Sequence, residues 1–158
     1  MPALAYIGLG ANLGAARETV HAALKDIAAE PDIEVVKVAG LYSSAPIDSS
    51  GPNYVNTVAS IRTSLSPQQL LACIQKIEQR YGRERPYLNA PRTLDLDLLL
   101  YGDMTLESPT LTIPHPRMHL RAFVLKPLHD IAGNMRLAQG YVETLLKQCQ
   151  DQSLSPMA

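Results

Sequence analysis

The sequence predicts an α+β domain in which two helices cover one face of an antiparallel sheet. Three observations carry that expectation. The runs 54–62 and 93–101 alternate their apolar residues with a period of two, the pleat of a half-buried strand. The stretch 16–29 and the stretch beginning at Pro67 place apolar residues three and four apart, as an amphipathic helix does. The segments follow one another as strand, helix, strand, strand, helix, strand.

Ala3 to Leu9 (ALAYIGL) is a short apolar run that ends among glycines and reads as a buried strand. Val20, Ala23, Leu24 and Ile27 then mark one face of a helix, with Glu18, Lys25 and Asp26 off that face. Ile33 to Ser43 is rich in β-branched residues and reads as the second strand, before a turn-rich connection punctuated by Pro46, Gly51 and Pro52. In the third strand Tyr54, Asn56, Val58 and Ser60 share one face, and Val55, Thr57, Ala59 and Ile61 share the other. Ser66-Pro67-Gln68-Gln69 has the form of a capping box with proline at the first helical position. The helix it opens runs through Leu70, Leu71, Ile74 and Ile77, and Gly82 is placed to stop it. Thr93 to Tyr101 is the fourth strand. This order is the ferredoxin-like βαββαβ arrangement, with helices packed on one face of an antiparallel sheet and the other face free for a site. Residues 1–158 are read as a single domain with extra C-terminal elements: a short strand at Leu111 to Ile113, helical patches, and a polar tail frayed from about residue 150.

Hydrophobic residues make up 46% and charged residues 18% of the chain, a globular rather than a disordered composition. A net charge of −1 supplies no basic field to draw nucleic acid or an anionic membrane. No run approaches the roughly 20 apolar residues of a membrane span, and MPALAYIGLG lacks the basic start of a signal peptide. Cys73 and Cys149 form no metal or redox motif and read as reduced thiols. The expectation is a cytoplasmic monomer with neither a nucleic-acid nor a membrane partner.

The chemistry gathers in "APRTLDLDLLLYGD", residues 90–103. Strand alternation sends Leu94, Leu96, Leu98 and Leu100 to one face and Asp95, Asp97 and Leu99 to the other. Two residues along a strand advance about 6.6–7 Å, so the two carboxylates reach one shared ionic cluster. A solvated face balanced by Arg92 is the bland explanation. Tyr54 and Asn56 on the corresponding sheet face favour a site instead, and paired carboxylates suit Mg²⁺, which takes oxygen ligands alongside substrate phosphates. "GRERPYLNAPR", residues 82–92, adds Arg83, Arg85 and Arg92. Alone it is a solvated charge run; beside a Mg²⁺ pair it supplies the cations that polyphosphate transfer needs. His115 stands between two prolines in "TIPHPRM", with Arg121 six residues on; by itself it reads as a turn residue. His119 and His129 are assigned nothing. "GLGANLG", residues 8–14, fits neither the P-loop nor the dinucleotide fingerprint and is expected to make a tight turn after the first strand.

Taken together, "YIGLGANLG", "YVNTV", "IEQRYGRER", "APRTLDLDLLLYG" and "IPHPRMHLRAFVLKPL" resemble the 6-hydroxymethyl-7,8-dihydropterin pyrophosphokinases of folate biosynthesis, from about Ala5 to Ile131. The resemblance implies a ferredoxin-like enzyme that moves pyrophosphate from ATP to the pterin hydroxymethyl group and releases AMP, with two Mg²⁺ ions. It implies Asp95 and Asp97 as metal ligands, with Asp97 also a candidate proton acceptor. Tyr54 and Phe123 would sandwich the pterin; Asn56 would bond its edge; Ser44, Ala45 and Ile47 would line its pocket. Leu71, Gln75, Glu78, Arg85, Arg92, Leu98, Thr112, His115 and Arg121 would serve ATP, Arg83 and Arg92 would stabilise the transition state, and the loop 82–90 would act as a lid. The chain departs from many members at Leu88, Asn89-Ala90, Thr110 and Pro116, where arginine, Trp-Gly, arginine and tyrosine are common. Two other readings of the same residues are a Mg²⁺-dependent phosphohydrolase using the aspartate pair and an RNA-binding module on the same fold.

Overall fold

The computed structural model describes residues 2–12, 14–45, 53–81 and 94–157. In chain order the elements are β1 (Ala3–Ala11), α1 (Ala16–Ala28), β2 (Ile33–Val38), β3 (Tyr42–Ser44), β4 (Tyr54–Thr63), α2 (Pro67–Gln79) and β5 (Asp95–Tyr101). Then come β6 (Leu106–Glu107), β7 (Thr112–Ile113), a 3-10 turn (Met118–Leu120), α3 (Ala122–Ala132), β8 (Arg136–Leu137), β9 (Gly140–Tyr141), α4 (Val142–Lys147) and β10 (Leu154–Pro156). The main sheet runs β10-β3-β4-β1-β5, with β2 also on β4, and its pairs are antiparallel. The protein is thus of mixed α+β class. No helix among the described residues is long and apolar enough to cross a membrane.

The first face carries the larger core. Ile7 and Leu9 of β1, Ala59 and Ile61 of β4, Leu96 and Leu98 of β5, and Leu94 just before it pack there against Val20, Ala23 and Ile27 of α1 and Leu70, Ile74 and Ile77 of α2. α2 starts as its sequence dictates: Ser66 Oγ accepts from the Gln69 N–H at 3.2 Å while Gln69 Oε1 accepts from the Ser66 N–H at 2.9 Å. α2 ends at Gln79, and Gly82 lies outside the described residues.

Several expectations are corrected. Helices do not occupy one face alone. Val58 and Leu99 on the second face are covered by Val124, Leu125 and Leu128 of α3 and Leu145 of α4, so that face is only partly left for a site. The region from Thr110 carries a second apolar period, which demands burial as strongly as the first. The tail is not frayed at 150. β10 pairs with β3, Met157 donates its N–H to Leu41 O at 2.9 Å, and the Gln152 amide bonds both Leu120 O and the Ala122 N–H, holding the start of α3. The expected second strand is two: β2 lies against Ile61 and Thr63, β3 against Tyr54 to Asn56, with Ala39, Gly40 and Leu41 between them.

Gly8 and Gly10 form no turn. Both lie within β1, and of that motif it is Gly14 that takes a positive φ, 58°. Leu100 does not share a face with Leu94, Leu96 and Leu98. The β1–β5 register slips between Tyr6 and Ile7, which pair with Leu100 and Leu98, so Leu99 and Leu100 both join the second core.

Candidate active site

The sheet register builds the site. Asn56 of β4, Gly10 of β1 and Asp95 of β5 are neighbours across three strands, and Val58, Gly8 and Asp97 form the next such row. Cross-strand partners share a face, so both carboxylates belong to the face of Val58, on the side of Tyr54 and Asn56. Both are half-buried. The alternation read from the sequence therefore holds through Leu98, the part that carries the aspartates.

A cleft of about 350 Å³ opens beside β5. It is lined by Asp95, Asp97 and Leu98 of β5, by Leu71, Gln75 and Glu78 of α2, and by Thr112 and His115. The expected nucleotide residues that are described thus line one cavity with the aspartates, Arg121 excepted. Ser108, Pro109, Leu111 and the departures Thr110 and Pro116 also line it. Of these, Ser108, Pro109 and Leu111 were missed in the sequence. The Ser-Pro turn signal was available: Ser108 Oγ donates to Leu111 O at 2.9 Å and accepts from the Leu111 N–H at 3.1 Å, closing the turn that presents this wall.

Glu78 is 4% exposed, and its Oε2 accepts the Leu96 N–H at 2.7 Å. Leu96 lies between Asp95 and Asp97 on a strand whose other neighbour in the sheet is absent among the described residues. The glutamate therefore takes the place of a strand partner at the point where the aspartates project. His115 is tied to β5 through its N–H to Leu99 O at 2.9 Å. Its Nδ1 accepts the Arg117 N–H at 3.1 Å, which puts the proton of the neutral ring on Nε2. Burial, then Arg121 and Arg117, push its pKa down to about 4, against an opposing pull from Asp95. His115 is a neutral donor at pH 7.

Of the residues expected to hold the pterin, Ser44 and Asn56 are buried and joined, Ser44 Oγ donating to Asn56 Oδ1 at 2.5 Å. Tyr54 is half-buried beside them, and Ala45 is exposed at the end of β3. Phe123, in the first turn of α3, packs on the second core with the Arg121 guanidinium 5.5 Å from its ring centre. Arg121 thus touches the aromatic residue assigned to one substrate while lowering the pKa of a residue assigned to the other. α3 is pinned to the sheet by Tyr42, which donates to Asp130; Lys126 pairs with the same carboxylate at 3.5 Å. Ile47, Arg83, Arg85 and Arg92 lie outside the described residues, as do Leu88, Asn89 and Ala90. Among the described residues no three His, Cys, Asp or Glu side chains are grouped to hold a metal.

Residues 6–133 match the model of the 7,8-dihydro-6-hydroxymethylpterin-pyrophosphokinase (HPPK) family. The chain belongs to that family. The 2-amino-4-hydroxy-6-hydroxymethyldihydropteridine pyrophosphokinase of Pseudomonas aeruginosa is 44% identical over 146 residues, 91% of this chain and 90% of that protein. The protein of the same name from Haemophilus influenzae is 44% identical over 152 residues, 95% of each chain. Among solved structures, Plasmodium falciparum HPPK-DHPS A437G with SDX-DHP superposes with a TM-score of 0.75 at 13% identity, covering 94% of this chain and 45% of that one. At that identity the likeness is of fold, and this chain spans less than half of the larger protein. The HPPK match contains the aspartate strand, the described cleft walls and Phe123.

Proposed function

We propose that this HPPK family member transfers the pyrophosphoryl group of ATP to the hydroxymethyl oxygen of 6-hydroxymethyl-7,8-dihydropterin, in folate biosynthesis. The carrying observation is that the family match spans a cleft holding Asp95, Asp97, Gln75, Glu78 and His115 together, next to the Ser44–Asn56 pair. The bond formed joins the pterin oxygen to the β-phosphorus; the bond broken is the α–β bridge; AMP leaves with the bridging oxygen. In-line displacement of this kind asks a protein for positioning and charge neutralisation rather than for covalent chemistry.

Asp95 and Asp97 fit a hard cation, being two half-buried carboxylates on one strand face that line the cleft. They would hold two Mg²⁺ ions, which when bound neutralise phosphate charge. Gln75, Leu71, Leu98 and Thr112 would seat the nucleotide, and His115 would donate Nε2–H to a phosphate oxygen. Arg83, Arg85, Arg92 and Arg121 would meet the remaining phosphate charge, Arg83 and Arg92 in the transition state. Tyr54 and Phe123 would hold the pterin plane, Asn56 its edge, and Ser44, Ala45 and Ile47 the pocket wall. Asp97 is the candidate acceptor of the hydroxyl proton. The strand order β5-β1-β4-β2, with α1 and α2 on one face, supports the ferredoxin-like assignment, and the return of β10 to β3 supports a single domain over residues 1–158. The chain is read as a cytoplasmic monomer with no nucleic-acid partner. No observation favours the hydrolase or RNA-binding readings.

Asp95→Ala and Asp97→Ala test this directly. Each is expected to lower Mg²⁺-dependent AMP release by about 10²–10³-fold, the range seen when a main electrostatic stabiliser is removed, with unchanged circular dichroism. Near-normal AMP release from both variants would remove the metal assignment.

A further inference from the structure

The glycines of β1 remain without a role, and they are not equivalent. A Cβ built on Gly8 would stand 3.5 Å from Leu99 Cδ1, an ordinary contact, so apolar packing already covers that position. A Cβ built on Gly10 would stand 2.9 Å from Asn56 Nδ2, closer than real Cβ atoms come. Gly10 is not among the glycines with positive φ, so its backbone does not require glycine. What a side chain there would displace is the Asn56 amide lying across it.

The Asn56 amide is thereby set from both ends. Its oxygen accepts from Ser44 on β3, and its nitrogen lies over β1 in the space that a side chain at position 10 would fill. Gly10 also stands between Asn56 and Asp95 in the sheet register. The row from Asn56 to Asp95 spans two inter-strand spacings, about 9–10 Å. Gly10 puts no side chain at its middle, where a Cβ would meet the Asn56 amide and, at 3.8 Å, Tyr54 Cδ1.

We propose that Gly10 is a positioning residue for the acceptor substrate: its missing side chain lets the Asn56 amide lie flat across β1, on the strip of sheet that leads towards Asp95. The inference rests on the reading of this face as a pterin site. The pterin edge would meet the pinned amide at one end of the strip. The hydroxymethyl arm, at the far end of the bicyclic ring, would then extend along the strip towards the carboxylates. Alanine at position 10 would displace the amide nitrogen and disturb the bond from Ser44.

The test uses the full chain as wild type, Gly10→Ala, Gly8→Ala, Asn56→Ala, Ser44→Ala and the Gly10→Ala/Asn56→Ala double variant. Affinity for 6-hydroxymethyl-7,8-dihydropterin is followed by its fluorescence, with and without a non-hydrolysable ATP analogue, and affinity for the analogue is measured separately. Gly10→Ala is expected to weaken pterin binding about tenfold or more, the loss of one well-made polar contact. Analogue affinity should stay within about twofold, and Gly8→Ala should bind the pterin as wild type does. On the Asn56→Ala background Gly10→Ala should add less than about threefold, because the two act through one amide. Should Gly10→Ala melt early, Ser44→Ala, which frees the other end of the amide without overpacking, is expected to show the same selective loss. Pterin binding by Gly10→Ala equal to wild type, an equal loss of analogue affinity, or a full loss that persists without Asn56 would each overturn the inference alone. A folded wild type that binds no pterin would overturn the reading of the site itself.

Discussion

Replacing Glu78 should weaken the protein in graded steps that follow from one hydrogen bond. The carboxylate is 4% exposed and accepts the Leu96 N–H at 2.7 Å, between the two aspartates. Glu78→Ala leaves that N–H without its acceptor in a buried place, at a cost of about 1–3 kcal/mol, and removes a packed side-chain stem worth roughly 1 kcal/mol more. Glu78→Gln keeps an oxygen of the same reach. It keeps the bond from Leu96 and is expected to lose less, about 0.5–1.5 kcal/mol. The expected order of stability in urea at pH 7 is wild type, Gln, Ala, with Ala about 2–4 kcal/mol below wild type. Amide exchange at Leu96 reads the same bond locally, since each 1.4 kcal/mol of lost local stability speeds exchange about tenfold. AMP formation should fall more in the Ala variant than in the Gln variant, because the strand bearing the aspartates is the part released. An Ala variant within about 0.5 kcal/mol of wild type, or unchanged exchange at Leu96, would refute the claim that Glu78 holds β5.

Two further outcomes follow from the electrostatics. The His115 pKa is lowered from 6.5 to about 4, so between those values the unfolded chain takes up a proton that the folded chain refuses, and stability falls as pH drops through that window. Allowing for its partial exposure, roughly 1–2 kcal/mol is lost, and His115→Gln should lose correspondingly less between pH 7 and 4.5; an imidazole pKa of 6.5 or above by NMR would contradict this. Tyr42→Phe removes the bond to Asp130 that pins α3, for an expected loss of about 1.5–3 kcal/mol by urea unfolding. The tyrosine itself, pushed up to about 12 by burial, the bond and the Asp130 charge, should not ionise below pH 11 in a spectrophotometric titration.

The parts of the site that were legible in the sequence depend on short-range periodicity. The pair Asp95 and Asp97 could be placed on one face because strand alternation is strict, and α2 could be started at Pro67 because the capping box is local chemistry. The prediction for Leu100 failed where alternation does, at a register slip that β1 imposes from outside the strand. Gly8 and Gly10 looked like a turn because glycine is the commonest turn signal. Their place in a strand follows from Leu99 and Asn56, which lie across the sheet and are distant in sequence. The Tyr42–Asp130 bond joins residues 88 positions apart, and the Gln152 clamp on α3 joins positions 30 and 32 apart. Neither leaves a pattern that a local window contains. Resemblance supplied the roles of Phe123, Leu71 and Thr112, whose own residue types favour ordinary packing or exposure.

The central claim is pyrophosphoryl transfer to a pterin, and one reaction mixture tests it. The chain is incubated with Mg²⁺, ATP and 6-hydroxymethyl-7,8-dihydropterin, and nucleotides and pterins are separated by chromatography over time. AMP and pterin diphosphate should form in equal amounts, with no AMP when the pterin is left out. Formation of ADP, or AMP appearing at the same rate without the pterin, would contradict it.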